Sequence, residues 1–138
     1  MKHPLMSSLC WMASLLLATG LAACAPPESP QTLPAGAVRH VVVFKYKPGT
    51  TAAQIQEVTD AFRALQHQIP GIVSFEHGVN NSPEGKNLGF THVYLLTFEN
   101  TAARDAYLPH PNHATFGALL GRLGVLEEAF VVDYTPGP

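Results

Sequence analysis

The chain has 138 residues, 46% of them hydrophobic, and a formal charge of −2, which suits one globular domain with a single core and leaves little for a second. Its eight Lys and Arg and seven His are scattered without a basic run, which argues against a nucleic-acid partner. Both cysteines, Cys10 and Cys24, and the single tryptophan, Trp11, precede the domain, so an internal disulfide there is excluded.

Residues 1–23 read as an export signal: Lys2 supplies a positive start, Leu5 to Leu17 an apolar stretch, and small residues lead to Cys24. The stretch is interrupted and short against the ~20 residues of a bilayer span. Leu21-Ala22-Ala23-Cys24 resembles the bacterial lipobox. That resemblance implies cleavage before Cys24 and acylation of its thiol and new N-terminus with chains such as palmitate, a stable anchor to the cell envelope. Residues 24–37, with Pro26, Pro27, Pro30 and Pro34, form a tether that cannot pack a core. Ala25 after the cysteine favours the outer membrane, on its periplasmic face, in a diderm host.

The domain, residues 38–138, begins with a β-branched and aromatic strand, His40 to Lys47, ended by Pro48-Gly49. Its alternation puts His40, Val42, Phe44 and Tyr46 on one face, and Val41 and Val43 on the other. Thr51 and Gln54 form a capping box, followed by Ile55, Val58, Phe62 and Leu65 at helical spacing and a stop at Ile69-Pro70-Gly71. Ile72 to Val79 reads as a weaker or edge strand, Asn80 to Leu88 as a loop, and Thr91 to Glu99 as a third strand. Asn100 caps a short helix through Tyr107, Pro109 and Pro111 break it, and a second helical segment carries Phe116, Leu119, Leu120 and Leu123. Glu128 to Tyr134 is the last strand. The order β-α-β-β-α-β predicts an α+β, ferredoxin-like fold: a four-stranded antiparallel sheet with helices on one face. The other face keeps Val41, Val43, Val93 and Leu95, and needs a cover that a second copy could supply, giving a homodimeric barrel.

The pieces Val38-Arg39-His40-Val41-Val42-Val43-Phe44-Lys45, Thr91-His92-Val93, Tyr107-Leu108-Pro109-His110-Pro111-Asn112-His113 and Val132-Asp133-Tyr134 together resemble the stress-responsive A/B barrel (Dabb) family over nearly all of the domain. The most specific of these is His110-Pro111-Asn112-His113. The resemblance implies a dimeric α+β barrel. It also implies, through polyketide cyclases of the family, a catalytic pair at Tyr107 and His113, with His40, His92 and His110 near the ligand. Phe62 and Tyr94 stand where such cyclases carry a tyrosine and a valine, and a pocket tryptophan is absent, so the substrate does not carry over.

The histidines admit three readings. His113 can act as a general base while Tyr107 polarises a carbonyl oxygen. The motif can instead serve only to organise a helix start, with Pro111 presetting the backbone. His110 and His113 could also join His40, His77 or His92 around a metal, but no cysteine or adjacent carboxylate completes such a set. No metal or cofactor is expected. His77 is expected to face solvent, and Asp133 to pair with a lysine or a backbone amide. The expected ligand is a small apolar or aromatic molecule lined by Val42, Phe44, Phe62, Tyr94 and Phe116. A cofactor-free cyclase or lyase is the alternative to a binding role.

Overall fold

The structure, a computed structural model, describes residues 33–137. The expected signal segment, Cys24 and the proline-rich tether as far as Thr32 lie outside those residues.

The described chain runs β1 (Val38–Tyr46), α1 (Ala52–Gln68), β2 (Ile72–Val79), β3 (His92–Phe98), α2 (Thr101–Tyr107), α3 (Pro111–Leu123) and β4 (Leu126–Tyr134). The sheet order is β2-β3-β1-β4 and every pairing is antiparallel, the ferredoxin-like arrangement. β4 starts at Leu126, two residues before the expected Glu128, because Tyr46 pairs with Leu126 beyond an irregularity in the β1–β4 ladder.

Local chemistry accounts for most boundaries. Thr51 accepts the Gln54 backbone N–H at 3.3 Å while Gln54 Oε1 accepts that of Thr51 at 3.0 Å, a closed capping box. After α1, Gly71 turns at φ +86°, and a Cβ there would lie 2.6 Å from Ala103 Cβ, so α2 can approach only a glycine. Asn100 accepts the Ala103 N–H at 2.9 Å and starts α2. α3 ends on Gly124 in the left-handed region at φ 61°.

The helices cover one sheet face. Val58, Phe62 and Leu65 of α1 and Phe116 of α3 pack on Val42, Phe44, Tyr94, Leu96 and Phe98, all buried. On the opposite face Val41 stands across from Leu95 and Val132, and Val43 across from Val93 and Phe130. Among the described residues that face is largely uncovered: Phe130 is 53% exposed and Val132 44%. Charged pairs rim it, Arg39 with Glu76 at 3.3 Å and Lys45 with Glu127 at 2.7 Å.

Candidate functional site

A cavity of about 250 Å³ lies where α3 crosses the β1–β4 side of the sheet. Its apolar wall comes from Val42 and Phe44 of β1, Phe62 of α1, Phe116 and Leu120 of α3, and Val131 of β4. Three polar side chains reach it: His40, Tyr107 and His113. A wider groove of about 440 Å³ between α1 and α3 shares Phe116 with it, but none of these three groups lines that groove. The smaller cavity is therefore the candidate site.

Tyr107 ends α2 and is fully buried, its ring 4.3 Å from that of His113 and 5.7 Å from that of His40, centre to centre. Its hydroxyl has no hydrogen-bond partner among the described residues. Burial pushes the phenol pKa well above its ordinary value, so it stays protonated and available as a donor. His113 Nδ1 lies 2.9 Å from the Leu108 carbonyl oxygen. A carbonyl only accepts, so Nδ1 carries the proton, and in the neutral ring Nε2 is an acceptor.

His40 is 5% exposed, and its Nδ1 sits 2.6 Å from Asp133 Oδ1. The β1–β4 register places the two residues directly opposite each other. The second carboxylate oxygen of Asp133 accepts from the Arg104 guanidinium of α2. Arg104 also donates to Asp105 at 2.8 Å, and the two carboxylates, Asp105 foremost, hold its pKa above the usual arginine value. Asp133, expected to meet a lysine or a backbone amide, thus binds a histidine and an arginine.

The remaining expected site residues are held elsewhere. His110 is the N-cap of α3: its Nδ1 accepts the Asn112 N–H at 3.1 Å, and Pro111 follows at the first helical position. The two histidines of the motif therefore divide the work, one starting the helix and one facing the cavity. Tyr94 is fully buried in the aromatic layer, with its hydroxyl 3.0 Å from that of Tyr46 and 2.9 Å from Thr59 Oγ1. His92 stands across from Phe44, four residues along β1 from His40, with its ring 4.9 Å from Tyr46. Neither Tyr94 nor His92 lines the cavity. His77 is exposed and its Nε2 is 2.7 Å from an Arg63 nitrogen. Among the described residues no three His, Cys, Asp or Glu side chains converge on a possible metal position.

Sequence reasoning missed Arg104, Gly117, Leu120 and Val131 as parts of the site, and gave Asp133 no role. Asp133 did carry a signal. It is an acidic residue just after the apolar run Ala129 to Val132, on the same strand face as Val131, where a partner is required. Arg104 carried none.

Residues 38–136 match the family model of the Stress responsive A/B Barrel Domain, and the chain belongs to that family. It is 33% identical over 101 residues to the stress-response A/B barrel domain-containing protein HS1 of Arabidopsis thaliana, covering 73% of this chain and 91% of that protein. Olivetolic acid cyclase of Cannabis sativa is 32% identical over 100 residues, 72% of this chain and 97% of the cyclase. Among solved structures, the hydroxynitrile lyase from Passiflora edulis superposes with a TM-score of 0.65 at 27% identity, over 73% of this chain and 94% of the lyase. A dimeric ferredoxin-like protein of unknown function from Jannaschia sp. CCS1 gives a TM-score of 0.62 at 29% identity, over 73% of this chain and all (100%) of that one.

Proposed function

We propose that this protein is a homodimeric barrel, anchored to the cell envelope through Cys24, that binds a small apolar or aromatic molecule carrying a carbonyl oxygen. The observation that carries the binding reading is Tyr107: it lines an apolar cavity, and its hydroxyl is buried without a partner among the described residues. A buried hydroxyl left unpaired costs about 1–3 kcal/mol, and a ligand oxygen accepting from it would remove that cost. The volume of about 250 Å³ exceeds the roughly 150 Å³ that holds benzene and falls short of the ~300–1,000 Å³ of drug-sized sites. A single substituted ring suits it. An exported protein does not meet the carrier-bound thioesters of the cytoplasm, which favours a free small molecule.

The test is benzaldehyde titrated against the native protein and Tyr107→Phe. The variant is expected to bind the aldehyde roughly tenfold more weakly and yet to melt at the same or a higher temperature, since an unsatisfied hydroxyl is gone. A variant that melts lower and binds unchanged would make Tyr107 a structural residue and sink this reading.

A second reading is favoured by His113. With Nδ1–H held by Leu108, its Nε2 is left to accept, and the residue lines the same cavity as Tyr107. A phenol that polarises a carbonyl oxygen beside an imidazole that takes a proton is sufficient for cofactor-free enolisation or cyanohydrin chemistry. Two relatives, a cyclase and a hydroxynitrile lyase, are named for reactions of this kind. Turnover of mandelonitrile that disappears in His113→Ala would convert the binding protein into an enzyme.

The dimer rests on the uncovered apolar centre of the outer sheet face, its charged rim, and the dimeric relative. Sedimentation of the native chain and Val43→Glu should give a dimer and a monomer. The anchor rests on the sequence around Cys24 alone. Cys24→Ser should move the protein from the membrane fraction to the soluble one.

A further inference from the structure

We infer that Arg104 and Asp133 are positioning residues that fix His40 with its Nδ1–H toward the carboxylate and its Nε2 toward the cavity. The ligand must then offer a hydrogen-bond donor or an acidic proton there, besides an acceptor oxygen for Tyr107. This deepens the binding reading and rests on it.

The geometry starts at the arginine. Arg104 takes one carboxylate oxygen of Asp133, and His40 Nδ1 takes the other at 2.6 Å. A guanidinium has donors only and no proton to give up. The carboxylate is fixed in one rotamer by the two contacts, and its oxygens accept from both. His40 must therefore present N–H at Nδ1, and in the neutral ring Nε2 keeps a lone pair. That nitrogen has no hydrogen-bond partner among the described residues and is not among the sealed polar atoms, whereas the ring lines the cavity beside Tyr107. His113 offers a second Nε2 lone pair, its ring 4.3 Å from the same phenol. One donor beside two acceptors selects a molecule with both a carbonyl and a hydroxyl, or with an acidic C–H next to the carbonyl. A plain hydrocarbon or a simple ketone leaves both imidazoles unanswered.

The test uses the full chain with ¹⁵N-labelled histidine, the His40 signals being assigned by their loss in His40→Gln. At a pH where the ring is neutral, native His40 is expected to show a protonated Nδ1 and an unprotonated Nε2. In Asp133→Asn, Arg104 holds the amide oxygen, so the amide N–H₂ turns to His40 and the tautomer inverts. In Arg104→Met/Asp133→Asn the amide is free to turn its oxygen back, and the native tautomer returns. A bystander arginine would not produce that rescue. If Asp133→Asn does not fold, Asp133→Leu replaces it and is expected to lose the Nδ1–H form.

The ligand arm compares 4-hydroxybenzaldehyde with benzaldehyde. The hydroxyl is expected to improve affinity about tenfold in the native chain, to give no advantage in Asp133→Asn, and to regain it in the double variant. A native His40 protonated at Nε2, or no rescue in the double variant, overturns the positioning role. A tautomer that inverts and returns while the affinity ratio stays constant overturns the ligand-facing role of Nε2. Either result is distinct from failure of the binding reading itself, which Tyr107→Phe decides with benzaldehyde alone.

Discussion

The helix-covered face of the sheet ends in two tyrosine clusters that treat their hydroxyls in opposite ways. Toward one end, Tyr46, Tyr94 and Thr59 form a closed chain, 3.0 and 2.9 Å between successive oxygens, that finishes on the Ile55 carbonyl at 2.9 Å. Toward the other, Tyr107 is as deeply buried as Tyr94, its hydroxyl has no partner among the described residues, and it lines a cavity. Polar groups inside a fold are satisfied unless something else is meant to satisfy them. The closed cluster is therefore structure, and the open one is where a ligand is proposed to bind.

Phe62 belongs to both, stacking on Phe116 at 4.5 Å on the cavity side and lying 5.2 Å from Tyr94 on the other. Phe62→Ala should have the largest effect of any change considered, a loss of about 3–5 kcal/mol in urea unfolding, because its ring is fully buried and its neighbours cannot all close the gap. It should also weaken aldehyde binding. A cost below about 1.5 kcal/mol would mean that the two clusters do not share one wall.

The same substitution then separates the two clusters by sign. Tyr94→Phe strips partners from Tyr46 and Thr59 and should cost about 1–2 kcal/mol in thermal or urea unfolding with little change in ligand affinity. Tyr107→Phe should do the reverse. Equal and negative stability effects at both positions would erase the distinction between a structural and a functional tyrosine.

How much of this was readable beforehand follows from the range of the interactions. The alternation of His40, Val42 and Phe44, the Thr51–Gln54 box and the stop at Pro70-Gly71 are local, and they carried the fold. The family likeness brought Tyr107 and His113 forward as a pair, and the structure sets their rings 4.3 Å apart. The rest depended on register and packing between distant segments. His40 and Asp133 are 93 residues apart and meet only because the β1–β4 ladder pairs them. Arg104 joins them from a helix whose seven residues announce only a cap. Tyr94 looked like a pocket residue because its side of the strand was right, but its hydroxyl was already taken. His110 shared a motif with His113 and is used as a helix cap.

Gly117 sharpens the contrast with a smaller effect. It lies inside α3, lines the cavity, and a Cβ there would meet nothing within 4 Å. Gly117→Ala should raise stability by about 0.5–1 kcal/mol through helix propensity, while the added methyl group narrows the cavity and lowers affinity for benzaldehyde. Stability up and binding down from one methyl group is the outcome expected of a site; an unchanged affinity would place the ligand away from α3.

The smallest effect concerns acid. Burial, followed by the positive charge of nearby His77, holds the folded pKa of His92 below its ordinary 6.5. Above pH 6.5 the ring is neutral in both states and contributes nothing. As the pH falls through that value the unfolded chain takes up the proton first, so stability drops until the folded ring is protonated as well. The ring is partly exposed, so the loss is modest and salt-sensitive. His92→Gln should flatten the decline in melting temperature below pH 6.5 without touching ligand affinity at neutral pH, because His92 packs on Tyr46 and does not line the cavity. A variant that bound benzaldehyde more weakly while melting like the native chain would carry the cavity across Phe44 into the Tyr46–Tyr94 end, and the two clusters would be one site.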